Sequence, residues 1–134
     1  MGTVFAYRLS GVKRILVVED ETLIRSSLAH ELRKDGLVVI EAGDYSEALK
    51  ELKNGGCDLA VVDLFLEDEM HGLKLIGDIH RSSPETKIIV VTAFGIEEVK
   101  QAAKKEGIDG FYEKPFRILD IRNSIREMLG GGDQ

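Results

Sequence analysis

Five short runs of aliphatic and β-branched residues alternate with five stretches of helical periodicity, and this alternation constrains the fold more than any other feature of the chain. The runs are RILVV (14–18), LVVIEA (37–42), LAVVD (59–63), KIIVVT (87–92) and GFYEK (110–114). Residues 15–18, 59–62 and 88–91 are apolar at consecutive positions rather than at every second one. Strands of that kind are covered on both faces, as inside a parallel sheet.

The intervening stretches repeat at the helical period. Ile24, Leu28 and Leu32 recur every four residues in 22–35, and Gly36 stands where a left-handed cap would end a helix. In 44–54, Asp44 with Glu47 resembles a capping box, and Gly55 is the stop. Leu73, Ile76 and Ile79 mark 72–83; Ile96, Val99 and Ala103 mark 96–106; Ile118, Ile121, Ile125 and Met128 mark 117–129. Each strand-to-strand crossover has the length a right-handed βαβ unit requires. The expected fold is therefore α/β: one open, doubly wound parallel sheet with helices on both faces. Residues 13–129 hold this domain, while 1–12 fit no repeat and read as an extra segment or an expression remnant. Residues 130–134 read as a flexible tail or truncated linker.

Composition narrows the function. A net charge of −6 without a basic run argues against direct nucleic-acid binding by this domain. The apolar runs fall short of the ~20 residues that span a bilayer. The single cysteine, Cys57, excludes an intrachain disulfide and reads as a small buried side chain. These features predict a soluble, cytoplasmic domain.

Ligands of open α/β sheets bind beyond the carboxyl ends of the strands. There the first run ends in Glu19-Asp20-Glu21, the third in Asp63, the fourth in Thr92 and the fifth in Lys114. If the first and third strands are neighbours, Glu19, Asp20 and Asp63 converge. Two unit charges ~4 Å apart at an effective dielectric of ~20 repel by about 4 kcal/mol. A divalent cation with oxygen preference relieves that repulsion, and Mg²⁺ suits such a site. Lys114 and Thr92 then complete a setting for a phosphoryl group, with the Asp63 carboxylate as a nucleophile toward phosphorus. Glu21 alone is read as an acid favouring a helix N-terminus.

At these residues the pattern VVED…VVD…VVTA…KPF resembles the receiver domain of two-component response regulators over residues 13 to 130. The resemblance implies a flavodoxin-like sheet of order 2-1-3-4-5. It makes Asp63 the phosphoacceptor, Asp20 a direct Mg²⁺ ligand, Glu19 its acidic neighbour and Phe65 a ligand through its backbone carbonyl. Thr92 matches the hydroxyl that turns toward the phosphoryl group, Lys114 its ion-pair partner, and Phe111 the aromatic that swings inward with Thr92. Pro115 matches a cis proline. The implied donor is a histidine kinase or histidine phosphotransfer protein, with Arg25 among its contacts. The implied output is an altered surface over residues 96–128 that controls a partner or an attached domain, and it allows a phosphorylation-dependent homodimer. No turnover of an external substrate is expected.

Two departures stand out. Glu67 occupies a position where the family has proline, and Gly72 lies nine residues after Asp63, one more than usual. Phe65 and Phe94, at the positions flanking the phosphoryl group, are both bulky and apolar. Two rival readings differ in kind. One is a Mg²⁺-dependent phosphohydrolase with an aspartate nucleophile, which usually carries a second acid where Phe65 stands. The other is a degenerate receiver that switches without phosphate. His30, His71 and His80 fit no metal-ligand spacing.

Overall fold

The computed structural model describes residues 11–130. The extra front segment and the tail expected from the sequence therefore lie largely outside the described residues. The elements are β1 (Arg14–Val18), α1 (Thr22–Arg33), β2 (Val38–Ala42), α2 (Tyr45–Lys53), β3 (Leu59–Asp63), α3 (His71–Ser82), β4 (Lys87–Thr92), α4 (Glu97–Lys105), β5 (Gly110–Glu113) and α5 (Ile118–Met128). All strand pairs are parallel, in the order β2-β1-β3-β4-β5. The three continuously apolar runs are the three central strands.

Alternation within each strand sends side chains to two cores. Ile15, Val17, Leu59, Val61, Ile89 and Val91 pack under α1 and α5, on Leu28, Ala29, Leu32, Ile121 and Ile125. Leu16, Val18, Ala60, Val62, Ile88 and Val90 face α2, α3 and α4, on Ala48, Leu75, Ile76, Ile79 and Ala103. Each fully buried leucine or isoleucine contributes about 1.5–3 kcal/mol. Neither face could be left to water, so the helices must wind both ways.

Helix ends follow the sequence with one refinement and one correction. Asp44 caps α2 by accepting the Glu47 N–H at 2.8 Å, but Glu47 returns its bond to the Gly43 N–H rather than to Asp44. Gly36 adopts φ of +79° after α1, as a left-handed stop requires. Ile96 was expected in the buried stripe of α4, yet it is the N-cap residue and 58% exposed. The helix begins one residue later than its apolar spacing implies, and Val99 and Ala103 alone meet the core. Glu97 and Glu98 in the first turn and Lys104 and Lys105 in the last match the helix dipole.

The register places the site. Val18 lies beside Val62, and Asp63 beside Val91, so β1, β3 and β4 end at one level. Gly72 then lets α3 fold back over the end of β3. A Cβ there would stand 2.1 Å from the Asp63 carbonyl oxygen, which no side chain can occupy. No helix among the described residues is long and apolar enough to cross a membrane.

Candidate functional site

Glu19, Asp20 and Asp63 meet at the carboxyl rim of β1 and β3, offering carboxylate oxygens that lie within 4.8 Å of one another. Glu19 and Asp63 are each 2% exposed, whereas Asp20 faces solvent. Lys114, just past β5, reaches across the rim. Its Nζ stands 2.7 Å from Glu19 Oε1, 2.8 Å from Asp63 Oδ2 and 3.1 Å from Glu21 Oε1. The contact with Glu19 is an ion pair outside hydrogen-bond angles, while Asp63 and Glu21 accept true hydrogen bonds.

Each acid also accepts one backbone donor: Phe65 N–H to Asp63 Oδ1 at 3.0 Å, Glu21 N–H to Glu19 Oε2 at 3.0 Å, and Glu67 N–H to Asp20 Oδ2 at 3.1 Å. These donors do not remove the crowding. Burial pushes the Glu19 carboxyl up to about 7, aided by the charge of Asp63 and resisted by Lys114 and the Glu21 N–H. Burial also raises Asp63 against the pull of Lys114 and the Phe65 N–H. For Lys114, burial works against the charge, but Asp63, Glu19 and Glu21 together outweigh it and hold the ammonium above the ordinary lysine range. The pocket carries one ammonium for four nearby acids. That donor set, oxygen only and short of positive charge, fits a hard divalent cation.

The remaining expected residues border the pocket. Thr92, fully buried at the end of β4, accepts the Phe94 N–H on Oγ1 at 3.1 Å. Phe65 and Phe94 touch, with ring centroids 4.4 Å apart at 50°. Phe111 is half-buried on the α4 side of the sheet, its ring 5.9 Å below the Lys100 ammonium. The Lys114–Pro115 peptide is cis. Arg25 donates to the Glu19 carbonyl at 2.7 Å, so it braces the end of β1.

Glu21 stands at the helix N-terminus as expected and takes a second partner. It occupies the N-cap position of α1, but its side chain makes no capping bond and turns to Lys114 instead. Nothing in the sequence pattern marks this, because the choice depends on a lysine 93 residues away. His30 is exposed, whereas His71 lies 3.8 Å from Glu67 and 3.7 Å from Glu69. Cys57 is buried, as expected.

The sequence pattern of the response regulator receiver domain matches residues 15–126. The two-component response regulator PhoP of Pseudomonas aeruginosa is 34% identical over 116 residues, which make up 87% of this chain and 51% of that protein. A cyclic di-GMP phosphodiesterase of Thermotoga maritima is 30% identical over 86% of this chain and 30% of its own length. The chain thus spans about half, or less, of these curated relatives. Among solved structures, a CheY-like receiver domain protein of Methanospirillum hungatei superposes with a TM-score of 0.83 at 32% identity, over 90% of this chain and 95% of that one. A Burkholderia pseudomallei response regulator protein, solved with a phosphorylated aspartic acid, a calcium ion and citrate, gives 0.77 at 27% identity over 90% of this chain and 73% of that one. Sequence pattern, strand order and rim agree, and the chain belongs to the response regulator receiver domain family of two-component systems.

Proposed function

We propose that this domain is a switch operated by a phosphoryl group on Asp63. The observation that carries the reading is the single ammonium of Lys114 held between Asp63 and Glu19, in a rim that also holds Asp20 and Thr92. A carboxylate oxygen of Asp63 attacks phosphorus, the bond from phosphorus to the donor breaks, and the donor's leaving group departs with its electron pair. For a phosphohistidine on a kinase or phosphotransfer protein, that group is the imidazole nitrogen. The product is an acyl phosphate on Asp63.

Asp20, Asp63 and the Phe65 carbonyl would hold Mg²⁺, with Glu19 behind them; the ion supplies positive charge to phosphoryl oxygens. The Burkholderia relative, solved with both a phosphorylated aspartic acid and a calcium ion, supports a divalent site of this kind. Lys114 pairs with the new dianion, for which its raised basicity keeps it charged. Thr92 leaves the Phe94 N–H and turns its hydroxyl to a phosphoryl oxygen. Phe111 follows into the space on the α4 side. The surface of α4, β5 and α5 repacks between two states, and an output partner or attached domain reads the difference. The chemistry stays on the chain itself. Phe65, apolar where phosphohydrolases place their second acid, disfavours turnover of an outside substrate.

The test is incubation with acetyl phosphate with and without Mg²⁺, read by intact-protein mass spectrometry and peptide mapping. A Mg²⁺-dependent phosphoryl adduct on Asp63, absent in Asp63→Asn, is expected. An adduct elsewhere, or none, refutes the assignment.

The touching rings of Phe65 and Phe94 support a second expectation. They restrict the approach of water to the acyl phosphate. Replacing either with serine should speed its decay by about fivefold, equivalent to ~1 kcal/mol of barrier. Unchanged decay in both variants removes that role.

A further inference from the structure

We infer that the backbone N–H of Glu67 is a positioning group for Asp20 and, through it, for divalent-cation affinity; the inference rests on the receiver reading above. Its starting point is a backbone outlier. Leu66 and Glu69 exchange both backbone hydrogen bonds, at 2.9 and 3.1 Å, and enclose a two-residue turn. Glu67 and Asp68, the turn residues, have φ of +55° and +62°. Two positive φ values in such a turn are the mark of type I′, which favours Asn-Gly and penalises residues with a longer side chain. A conformation of this cost persists where the surroundings hold it in place.

The Glu67 side chain does not account for the turn, since it is 54% exposed and 3.8 Å from His71. The main chain does. The turn aims the Glu67 N–H at Asp20 Oδ2, 3.1 Å away and 47 residues distant in sequence. Asp63 and Glu19 obtain their backbone donors from the residue two places on, a contact that the local chain supplies by itself. Asp20 has no such neighbour. Among the described residues no second hydrogen bond or ion pair meets its carboxylate. The exposed acid of the trio is therefore fixed by a donor carried in from the extra-long loop. The bond occupies one lone pair and orients the carboxylate, leaving its other oxygen for a cation. A charge-assisted bond of this type also offsets part of the repulsion among the three acids.

The departure that the sequence shows between Asp63 and Gly72 thus acquires a role. Where the family carries proline, which has no N–H to give, this chain carries Glu67 and uses the N–H.

The test removes that one hydrogen. Ligation at Gly56–Cys57, the chain's single cysteine, allows residue 67 to be introduced as the α-hydroxy analogue of glutamate, an ester with no N–H. Calorimetric titration with MgCl₂ and with MnCl₂ is compared across the parent, the ester and the double variant E67N/D68G, which keeps the N–H and relaxes the turn. The ester should bind both cations about tenfold more weakly, and E67N/D68G should bind as tightly as the parent or tighter. Thermal midpoints without metal separate positioning from mere support. An ester that melts lower but binds with the parent's affinity overturns the inference and leaves the receiver reading intact. A parent that binds neither cation overturns both.

Discussion

The two rims of one sheet treat charge in opposite ways. At the amino rim the acids that lead into β2, β3 and β5 are matched. Asp58 accepts the Arg14 N–H at 2.8 Å, Asp109 accepts the Ile88 N–H at 2.8 Å, and Asp35 takes two bonds from Arg122 and one from Arg126. The guanidinium of Arg122, foremost, holds the Asp35 carboxyl below the usual carboxylate range. At the carboxyl rim, Lys114 alone faces Glu19, Glu21 and Asp63, with Asp20 beside them, and Glu19 is pushed up to about 7. Strand ends do not require such a conflict, as the amino rim proves. The excess negative charge at the carboxyl rim is what the proposed metal and phosphoryl group would relieve, and the fold bears its cost there.

Removing the one cation of the crowded rim should have the largest effect. In Lys114→Met, Glu19 and Asp63 remain buried without a counter-charge, and breaking a buried pair on one side costs about 3 kcal/mol. The loss should be larger at pH 8 than at pH 5, where Glu19 takes up a proton. Urea unfolding of metal-free protein at both values checks this, and equal losses at the two would contradict it.

Neutralising one acid should act in the reverse direction. Because the folded pKa of Glu19 lies above its unfolded value, the native state binds more protons between about 4.5 and about 7. Stability of the metal-free protein from this group therefore rises as pH falls through that window and is lost as pH climbs through it. Glu19→Gln should stabilise metal-free protein at pH 8 by about 1 kcal/mol, after solvent screening is allowed for, and should have little effect near pH 4.5. Added Mg²⁺ should shrink the gain, because the parent then has a counter-charge that the variant needs less. A variant less stable than the parent at pH 8 would mean that Lys114 depends on Glu19 more than Glu19 is harmed by burial.

Which parts of this contrast the sequence showed depends on the range of the forces involved. Strands and helices were legible because hydrophobic period is written locally, and β1, β3 and β4 announced themselves as central by having no polar face. Asp20, Asp63, Thr92 and Lys114 were legible because each stands at the end of its own strand, so the parallel sheet alone brings them to one rim. Ile96 was misplaced because its spacing suits a buried stripe, while the helix starts just after it. Glu21 was legible as an acid at a helix N-terminus, but its bond to Lys114 was not, because that partner is 93 residues away. The turn at Glu67 and Asp68 was hidden altogether. Its residue types argue against positive φ, and the partner of its inward N–H is Asp20, in the loop after β1 and 47 residues away.

The smallest effect should come from the matched rim. Asp35→Asn keeps the shape of the acid and removes its charge, so Arg122 and Arg126 lose an ion pair but not every hydrogen bond. Both guanidiniums remain partly open to water, and such pairs contribute little. The sign with pH is opposite to that of Glu19. A folded pKa below the unfolded value gives stability that is present above the ordinary aspartate value and lost as pH falls from there through the lower folded pKa. Asp35→Asn should therefore lower the thermal midpoint slightly at pH 7 and progressively less as pH falls below the ordinary aspartate range, and added salt should shrink the difference. Measured beside Glu19→Gln, the two profiles should slope in opposite directions with pH. Parallel slopes would mean that the two rims handle charge alike, and the contrast that singles out the carboxyl rim would fail.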